Sequence, residues 1–484
     1  MDSEQYIFDS LHEECGVVGI AMDKQSDVAA SAYFALYALQ HRGQQSAGIA
    51  VNDDGVIKAH CDEGLVNDVF NENILAELGT GRMAIGHVRY STTGYERRLN
   101  CQPMVVNHVK GSMAIAHNGN LTNDAELREE LELAGSIFHA TTDTEVIAYT
   151  VTKERLTASS IEEAISRAMD RIKGAYSIVV MSPRKLIAAR DEHGFRPLCM
   201  GVFPKGGFAF ASETCALDAM GAKYLRDVEP GEIVIVSDGK VESRREHCGK
   251  CKPSLCVFEY IYFARPDSYI EGCSVHAARK RAGAFLALEH PVQADVVIGV
   301  PDSGLDAALG FAQQSGIPYG VGFIKNKYIG RTFIVPVQSE REKGVRIKLN
   351  PVAETVKGKR VVLIDDSIVR GTTIARIVKL LRDAGATEVH VRSAAPKFLH
   401  PCYFGTDVPS CDELVACRYS DEELPEKLGV DSIGFLSIEN AKLLAGNGRH
   451  DYCVGCFSGE YPCEPPKRKW ENKYLKKISS NKED

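Results

Sequence analysis

The chain has 484 residues, of which 44% are hydrophobic and 25% charged, as expected of a globular protein with two or three domains. The formal net charge of −8 argues against a nucleic-acid partner. The sequence contains no run of about 18 apolar residues, so no membrane-spanning helix is predicted.

The first 14 residues do not resemble a targeting signal. They contain five acidic residues and lack the basic start and apolar stretch of a secretory signal. We therefore predict a cytoplasmic protein. The chain has 15 cysteines, and an odd number in a reducing compartment argues against a disulfide framework. Metal ligation, a nucleophile and buried thiols remain as competing uses.

The segment from Cys15 to about residue 245 is predicted to be rich in β-strands. CGVVGIAM predicts a strand, and DVAASAYFALYALQHRGQQ predicts a helix with one apolar face. GIAVNDDGVIKAH predicts two strands around an Asp-Gly turn. Further strands are predicted from AIGHVRYST and GSMAIAHNGNL.

After about residue 255, strands and helices alternate. ADVVIGVPDSGLDAALGFAQQSG predicts a strand, a turn and a helix that ends at Gly316. KRVVLIDDSIVRGTTIARIVKLLRDAG predicts a strand, a loop and a helix capped at Gly385. This alternation favours a parallel sheet with helices on both faces. Residues 326–350, between these units, are rich in charge and predicted to form a mobile loop.

Cys15 stands before a strand, where a lone cysteine is more often a buried thiol. Its companions change that interpretation. HNGN is predicted to be a turn in which Gly119 lies between two asparagines, so that a backbone N–H and a side-chain amide can point to one place, as an oxyanion hole requires. Arg89 can bind a carboxylate through two hydrogen bonds, and Asp143 can bind an ammonium group. An amino acid carries both groups.

These motifs resemble those of the N-terminal-nucleophile class of glutamine amidotransferases, over roughly residues 15–245. The resemblance implies an αββα sandwich in which Cys15 is the nucleophile and its own α-amino group is the general base. It assigns Asn118 and Gly119 to the oxyanion hole. The residues that it implies for glutamine binding are Arg89, Thr92 and Asp143.

A free α-amino group on Cys15 requires that the preceding residues be removed. We therefore predict that residues 1–14 form a propeptide, cleaved between Glu14 and Cys15. The alternative is an ordinary N-terminal tail, which would leave Cys15 inert.

VVLIDDSIVRGTT carries the strongest signal in the chain. An apolar strand at 361–364 ends at Asp365 and Asp366, where a small polar loop opens a helix. The two carboxylates suit ribose hydroxyls or a divalent ion. Backbone N–H groups that can bind a phosphate there belong to Arg370, Gly371, Thr372 and Thr373. The alternative is a strand followed by a solvated acidic turn.

This stretch resembles the phosphoribosyl pyrophosphate loop of type I phosphoribosyltransferases. VVIGVPDSG is similar to the pyrophosphate and magnesium loop of that family. The resemblance implies that Mg²⁺ is bound by Ser303, Asp365 and Asp366. GFIKNKYIGRTF is similar to a flexible lid, in which Lys325 and Arg331 suit phosphates.

Together the two halves resemble the glutamine phosphoribosylpyrophosphate amidotransferase family, and EYIYFARPDS at 259–268 is a further match. The resemblance implies synthesis of 5-phosphoribosylamine, the first committed step of purine synthesis. It also implies an ammonia channel, feedback inhibition by purine nucleotides and a homotetramer. The domains predicted are a propeptide at 1–14, an amidotransferase domain at 15–250, a phosphoribosyltransferase domain at 251–450, and a C-terminal segment at 451–484.

Two other functions were weighed. Another glutamine amidotransferase, such as glucosamine-phosphate or asparagine synthase, would share only the first half and lack DDSIVRGTT. A non-enzymatic regulator that senses phosphoribosyl pyrophosphate and binds DNA would need a basic module and no glutaminase half.

Two CxxC pairs, Cys248/Cys251 and Cys453/Cys456, would by themselves suggest a four-cysteine zinc site. One branch of the family instead carries a [4Fe–4S] cluster together with a leader. The ligands that this resemblance implies are Cys256, Cys402, Cys453 and Cys456. Zinc and free thiols remain as alternatives, and Cys248 and Cys251 have no assigned role.

Overall fold

A computed structural model of the chain describes residues 15–90, 98–326, 349–408, 410–446 and 451–468. These residues form two compact units. The first contains residues 15–255, 403–406 and 461–468, and the second contains 256–402 and 407–460. No helix in the described ranges is both long and apolar enough to cross a membrane.

The first unit contains thirteen strands in two antiparallel sheets. The strands are β1 (Gly16–Ser26), β2 (Ser46–Asp53), β3 (Val56–Glu63), β4 (Gly81–Arg89), β5 (Met104–His108), β6 (Gly111–Leu121), β7 (Gly174–Met181), β8 (Leu186–Arg190), β9 (Cys199–Val202), β10 (Phe208–Ala211), β11 (Lys223–Asp227), β12 (Ile233–Ser237) and β13 (Lys240–Arg244). One sheet has the order β11-β9-β10-β1-β4-β2-β3, and the other has the order β13-β12-β8-β7-β6-β5.

Helices cover the outer faces of both sheets. They are α1 (Val28–Ala38), α2 (Val66–Val69), α3 (Glu72–Leu78), α4 (Asp124–Leu133), α5 (Asp143–Arg155), α6 (Ile161–Met169) and α7 (Thr214–Ala219). The cluster of α1, α2, α3 and α7 packs on the seven-stranded sheet, and that of α4 to α6 packs on the six-stranded sheet.

The two sheets share a buried apolar layer. Val17 and Ile85 of one sheet and Val179 and Val234 of the other belong to the same core cluster. Each large side chain buried in this way stabilises the fold by about 1.5–3 kcal/mol. The result is a four-layer αββα sandwich, which confirms the predicted fold of this half.

The second unit is built on four parallel strands in the order β17-β20-β21-β22. The short β14 (Leu255–Cys256) begins at the last residue of the 15–255 stretch of the first unit. The strands after it are β15 (Tyr269–Ile270), β16 (Cys273–Ser274), β17 (Val296–Gly299), β18 (Phe323–Lys325), β19 (Leu349–Pro351), β20 (Arg360–Asp365), β21 (Glu388–Ser393), β22 (Ser432–Phe435) and β23 (Tyr452–Cys453). Its α-helices are α8 (Val275–Glu289), α9 (Gly304–Ser315), α10 (Ala353–Val356), α11 (Thr372–Asp383), α12 (Val415–Arg418), α13 (Leu424–Leu428), α14 (Ile438–Ala441) and α15 (Gly455–Ser458).

The predicted strand–helix units are confirmed here. α11 packs Ile374 and Ile377 against Val361 and Leu363 of β20. α9 ends one residue before Gly316, which takes a left-handed conformation with φ 76°, as a glycine cap requires. The carboxyl ends of β17 and β20 therefore lie side by side, where parallel sheets bind ligands.

Three details of the sequence prediction are wrong. The strand predicted from GSMAIAHNGNL is confirmed as β6, but HNGN at 117–120 is part of that strand and not a turn, because Asn118 and Gly119 pair with Ser177 and Tyr176 of β7. The first helix stops at Ala38 instead of continuing through HRGQQ. Two cysteines expected to be thiols, Cys411 and Cys417, are joined in a disulfide.

Candidate active sites

Cys15 immediately precedes β1, and its thiol lies close to the end of β4. The Sγ atom is 3.8 Å from the carbonyl oxygen of Tyr90. The next residue must be small, since a Cβ atom on Gly16 would lie 3.0 Å from Val88 and 3.2 Å from Leu39. Close packing of β1 against β4 and α1 therefore fixes the backbone that carries Cys15.

A buried ionic cluster holds the main chain of Cys15. Arg42 Nε donates a hydrogen bond to the Cys15 carbonyl oxygen at 3.1 Å. Arg42 Nη1 and His41 Nε2 both contact Glu213 Oε1, at 2.8 Å and 2.7 Å. Burial alone would raise the pKa of Glu213, but His41 and Arg42 lower it well below its usual range. Glu213 is therefore a carboxylate that anchors Arg42.

Asn118 and Gly119 lie together on β6. The Asn118 side chain is fully buried, and among the described residues neither atom of its amide has a hydrogen-bond partner. Leaving buried polar atoms unpaired is costly, so such an amide calls for a ligand. Gly119 has a φ of +140°, and a Cβ there would lie 2.1 Å from the Ala175 carbonyl oxygen. Only glycine fits at this position.

Asp143 begins α5 and is directed toward the same strand. The Leu121 N–H donates to Asp143 Oδ2 at 2.9 Å, and His117 Nδ1 is 3.5 Å from Oδ1. Burial would raise the pKa of Asp143, but His117 and the hydrogen bonds from Leu121 and Thr142 more than offset it and lower the pKa. The group is an ionised carboxylate suited to a substrate ammonium.

Arg89 ends β4, is buried, and is followed directly by Tyr90, the neighbour of the Cys15 thiol. On the same strand, His87 Nε2 lies 3.0 Å from the His117 carbonyl oxygen, just before Asn118. The structure thus links the predicted glutaminase residues through β1 and β4 of one sheet and β6 of the other. Thr92, the remaining predicted glutamine contact, lies outside the described residues.

In the second unit, Asp365 ends β20 and Asp366 follows it. The Ser303 hydroxyl donates a hydrogen bond to Asp366 Oδ2, which brings all three predicted magnesium residues together. Burial raises the pKa of both aspartates, and the neighbouring Asp366 raises that of Asp365 further. A divalent cation would favour the ionised forms of these two carboxyl groups, and their oxygen atoms are suitable ligands for it.

The loop after Asp366 forms hydrogen bonds with residues 413 and 415, which were not predicted from the sequence. The Val415 N–H donates to the Val369 carbonyl oxygen at 2.8 Å, and Arg370 Nε donates to Glu413 Oε2 at 3.0 Å. Gly371, with φ 83°, caps the start of α11, and Thr372 and Thr373 open that helix. The backbone N–H groups at this helix start form a ready anion site.

Lys325 ends β18, and its Nζ atom lies 2.5 Å from Asp302 Oδ2, in the loop between β17 and α9. Both side chains are exposed. Arg331, the other predicted phosphate contact, lies outside the described residues, as does most of the predicted mobile loop.

The four predicted cluster cysteines lie near one another in the second unit. Burial raises the pKa of Cys456 well above its usual value, and the thiols of Cys402, Cys256 and Cys453 raise it further. The Cys456 carbonyl oxygen accepts the His400 N–H at 3.1 Å, which ties the Cys402 segment to the C-terminal CxxC pair.

No three His, Cys, Asp or Glu side chains in the described part of the chain are arranged to hold a single metal ion. A [4Fe–4S] cluster takes four cysteine thiolates, and these four thiols match that ligand set in kind and number. Cys248 and Cys251 belong to the first unit, where Cys251 Sγ lies 3.4 Å from Glu192 Oε2. Burial, Glu192 and Cys463 raise the pKa of Cys251 to about 11.

The residues that sequence reasoning missed include His41, Arg42, Glu213 and His117. The adjacent basic pair in HRGQQSAG was a visible signal. Its partner was not, because Glu213 is separated from Arg42 by 171 residues. His117 precedes the predicted oxyanion asparagine, and only the fold shows that its ring faces Asp143.

An αββα sandwich led by a cysteine and a parallel-sheet unit with an acidic phosphate loop define an amidotransferase joined to a phosphoribosyl-binding enzyme. Residues 87–219 match the glutamine amidotransferase domain family, and residues 276–397 match the phosphoribosyl transferase domain family. The chain belongs to the amidophosphoribosyltransferase family. It is a glutamine amidotransferase and phosphoribosyltransferase enzyme.

Curated relatives support this membership over both halves. The amidophosphoribosyltransferase of Methanocaldococcus jannaschii is 49% identical, with 93% of this chain and 98% of that protein covered. The Bacillus subtilis amidophosphoribosyltransferase is 47% identical, with 94% and 95% covered.

Two solved structures have the same fold. One, described as the allosteric regulatory enzyme of purine biosynthesis, matches with a TM-score of 0.88 and 45% identity, covering 94% of this chain and 97% of that one. The other is the B. subtilis glutamine phosphoribosylpyrophosphate amidotransferase complexed with ADP and GMP. Its TM-score is 0.86 at 46% identity, with 93% and 98% covered.

Proposed function

We propose that the chain transfers the amide nitrogen of glutamine to phosphoribosyl pyrophosphate. The products are 5-phosphoribosylamine, glutamate and pyrophosphate, in the first committed step of de novo purine synthesis. The observation that carries the proposal is that one chain holds two sites. One unit has the buried Asn118 amide, which has no partner within the described ranges, and the other has the Asp365–Asp366 loop.

In the first unit, the Cys15 thiol gives its proton to the α-amino group of the same residue, and the resulting thiolate attacks the amide carbon of glutamine. The oxygen gains negative charge, which the Asn118 amide and the Gly119 N–H stabilise. The α-ammonium group of Cys15 returns the proton to the amide nitrogen. Collapse of the intermediate then breaks the C–N bond, releases ammonia and leaves a thioester. Water then cleaves the thioester to give glutamate. Arg89 and Asp143 bind the α-carboxylate and α-ammonium groups, with Thr92 assisting.

In the second unit, ammonia attacks the anomeric carbon, the bond to pyrophosphate breaks, and the extra proton passes to solvent. The N–H groups at the start of α11 bind the 5-phosphate, and Asp365 and Asp366 orient the ribose hydroxyls. Ser303, Asp365 and Asp366 would hold Mg²⁺, which would supply positive charge to offset that of the pyrophosphate group. Lys325 and Arg331 bind phosphates, and the segment that carries Arg331 excludes water.

The α-amino group of Cys15 acts as a base only when it is free, so we propose that residues 1–14 are removed as a propeptide. Arg42 holds the Cys15 carbonyl oxygen in a fixed position, which would orient the α-amino group once it is free. Intact-mass measurement of active protein should give a chain that starts at Cys15. Full glutaminase activity in protein that retains the leader would refute this maturation step.

We propose a [4Fe–4S] cluster on Cys256, Cys402, Cys453 and Cys456. The closeness of the four thiols supports it, since those of Cys402, Cys256 and Cys453 all raise the pKa of Cys456. The group would clamp the C-terminal segment to the second unit and has no assigned redox step.

Family membership supports proposals on regulation and assembly. A solved relative is complexed with ADP and GMP. We propose that purine nucleotides inhibit this chain, that it forms a homotetramer, and that it works in the cytoplasm. Inhibition by nucleotides and the mass in solution test the first two directly.

The test of the whole function is pyrophosphate release. It should require phosphoribosyl pyrophosphate, Mg²⁺ and either glutamine or ammonia. Release of equal amounts of pyrophosphate without any nitrogen donor would contradict the proposal, since it would indicate simple hydrolysis.

A further inference from the structure

Four residues from late in the chain, Tyr403–Thr406, belong to the first unit, although Cys402 before them and Asp407 after them belong to the second. We call them the YFGT segment. The chemistry described above gives this segment no part. Its contacts nevertheless converge on the strand that carries Asn118 and Gly119.

Arg196, whose side chain is fully buried, holds the YFGT segment. Its Nη2 and Nε atoms donate to the Phe404 carbonyl oxygen at 2.7 Å and 3.2 Å. Nη2 also donates to Thr406 Oγ1 at 3.3 Å. The Phe404 ring stacks on Phe195, with centroids 4.2 Å apart. One guanidinium group therefore fixes both the main chain and a side chain of the segment.

The same residues reach the oxyanion strand from two sides. The Arg196 carbonyl oxygen accepts the Ser177 hydroxyl at 3.1 Å, and Ser177 is the cross-strand partner of Asn118. On the other side, Asn120 Nδ2 donates to the Tyr403 carbonyl oxygen at 3.1 Å.

Gly405 lies directly against Gly119. A Cβ atom on Gly405 would be 3.4 Å from the Gly119 carbonyl carbon and 3.5 Å from its Cα. The Gly119 backbone is therefore enclosed by Ala175 of β7 on one side and by the YFGT segment on another.

We infer that Arg196 and the YFGT segment position Asn118 and Gly119 for glutamine hydrolysis. The Asn118 amide has no protein partner among the described residues to orient it, so the backbone of β6 sets its direction. Oxyanion stabilisation depends on donors held within a fraction of an ångström, which gives such support a large effect on rate. The inference rests on the proposed roles of Asn118 and Gly119.

Part of the support for the glutaminase site is encoded more than 280 residues after Asn118, inside the phosphoribosyltransferase half of the sequence. These residues act as positioning residues and do not touch the substrate in this account.

Two substitutions in the full-length enzyme test the inference. Thr406→Val removes the hydroxyl that Arg196 contacts while keeping the side-chain shape. Gly405→Ala brings a methyl group to Gly119 and forces alanine into a φ of +112°. Thr157→Val is the matched control, since it removes a similar arginine contact, Arg167 Nη1 to Thr157 Oγ1 at 3.1 Å, elsewhere in the unit.

The readouts are kcat and KM for glutamine and the rate of ammonia-dependent synthesis. We expect Gly405→Ala to lower the glutamine-dependent kcat by about tenfold or more, since loss of one oxyanion donor costs roughly 100-fold. Thr406→Val should lower it by about threefold, in line with one lost hydrogen bond. The KM for glutamine and the ammonia-dependent rate should stay within about twofold, and the control should match the parent.

An unchanged glutamine-dependent kcat in Gly405→Ala would overturn the inference. So would an equal fall in the glutamine-dependent and ammonia-dependent rates, which would indicate a merely structural role. Asn118→Ala, measured alongside, separates this failure from a failure of the proposed function. If Asn118→Ala is impaired and Gly405→Ala is not, the positioning role fails alone. If Asn118→Ala hydrolyses glutamine normally, the proposed oxyanion site fails.

Discussion

At the residue scale, the two sites use buried carboxylates in opposite ways. Glu213 has cationic partners that lower its pKa, so it is a fixed anion in the resting protein. Asp365 and Asp366 are buried together without enough positive charge, and their pKa values are raised. The first arrangement stabilises the fold, whereas the second sacrifices stability for ligand binding.

Glu213→Gln should destabilise the protein by roughly 3 kcal/mol at neutral pH, because it leaves Arg42 and His41 with a neutral partner. The pKa of Glu213 is lower in the folded state than its unfolded value of about 4.3, so its contribution is present above that pH and is lost as the pH falls further. In urea unfolding, the difference in the free energy of unfolding between parent and variant should therefore become smaller below about pH 4.

Glu229→Gln is the control for this prediction, since Glu229 pairs with Arg245 at the surface, where both side chains are about half exposed. It should cost less than about 1 kcal/mol. Equal losses for the two variants would show that the buried cluster has no special role.

Asp366→Asn should raise the thermal stability of the metal-free protein. A raised carboxyl pKa means that stability falls as the pH rises from the unfolded pKa toward the folded one, and asparagine removes that loss of about 1 kcal/mol per pKa unit. Mg²⁺ with phosphoribosyl pyrophosphate should raise the melting temperature of the parent but not of the variant. Asp295 pairs with Arg360 at the opposite end of β20, so Asp295→Asn should respond like the parent. A ligand-induced shift of parental size in Asp366→Asn would contradict the assignment.

At the element scale, the start of α11 depends on Gly371. Gly371→Ala would bring a Cβ to 2.9 Å from Leu428 and 3.0 Å from Val415, in a backbone with φ +83°. We expect a loss of about 1–3 kcal/mol in stability and a KM for phosphoribosyl pyrophosphate raised about tenfold. Gly358→Ala has similar strain, with φ +72° and nothing within 4 Å of the added atom, so it should leave that KM unchanged. Equal KM values for the two variants would refute the role of the loop.

The proposed cluster makes the C-terminal segment depend on its cysteines. Cys456→Ser should lower the iron content from about four atoms per chain and remove the visible absorption of the protein. Cys251→Ser should retain both, since Cys251 lies in the first unit. Anaerobic purification followed by iron and sulfide analysis decides the matter. Full iron in Cys456→Ser, or loss of iron only in Cys251→Ser, would contradict the proposed cluster.

Local patterns predicted the elements whose burial is periodic. The strands around Cys15, the Asp54–Gly55 hairpin turn and the strand–loop–helix at 361–383 all follow from such patterns. HNGN was predicted to be a turn because Asn and Gly favour turns, but pairing with β7 keeps it extended. Contacts such as Arg42 with Glu213 and Val369 with Val415 join distant residues, and no local pattern encodes them.

At the scale of the whole molecule, the chain joins two reactions, and the product of one is a substrate of the other. The phosphoribosyl half consumes ammonia, which is protonated and scarce as a free base at neutral pH, and the glutaminase half generates it. Relatives about 47–49% identical cover both halves, so the pairing is a property of the family. The YFGT segment adds that the two halves are also interleaved in sequence.

The most direct measurement compares glutamine and ammonia as nitrogen donors for a full-length Cys15→Ser enzyme. We predict that this variant makes almost no phosphoribosylamine from glutamine, yet uses ammonia at a rate close to that of the parent. Glutamate formation at the parental rate by Cys15→Ser would contradict the assignment of this sulfur as the source of the ammonia.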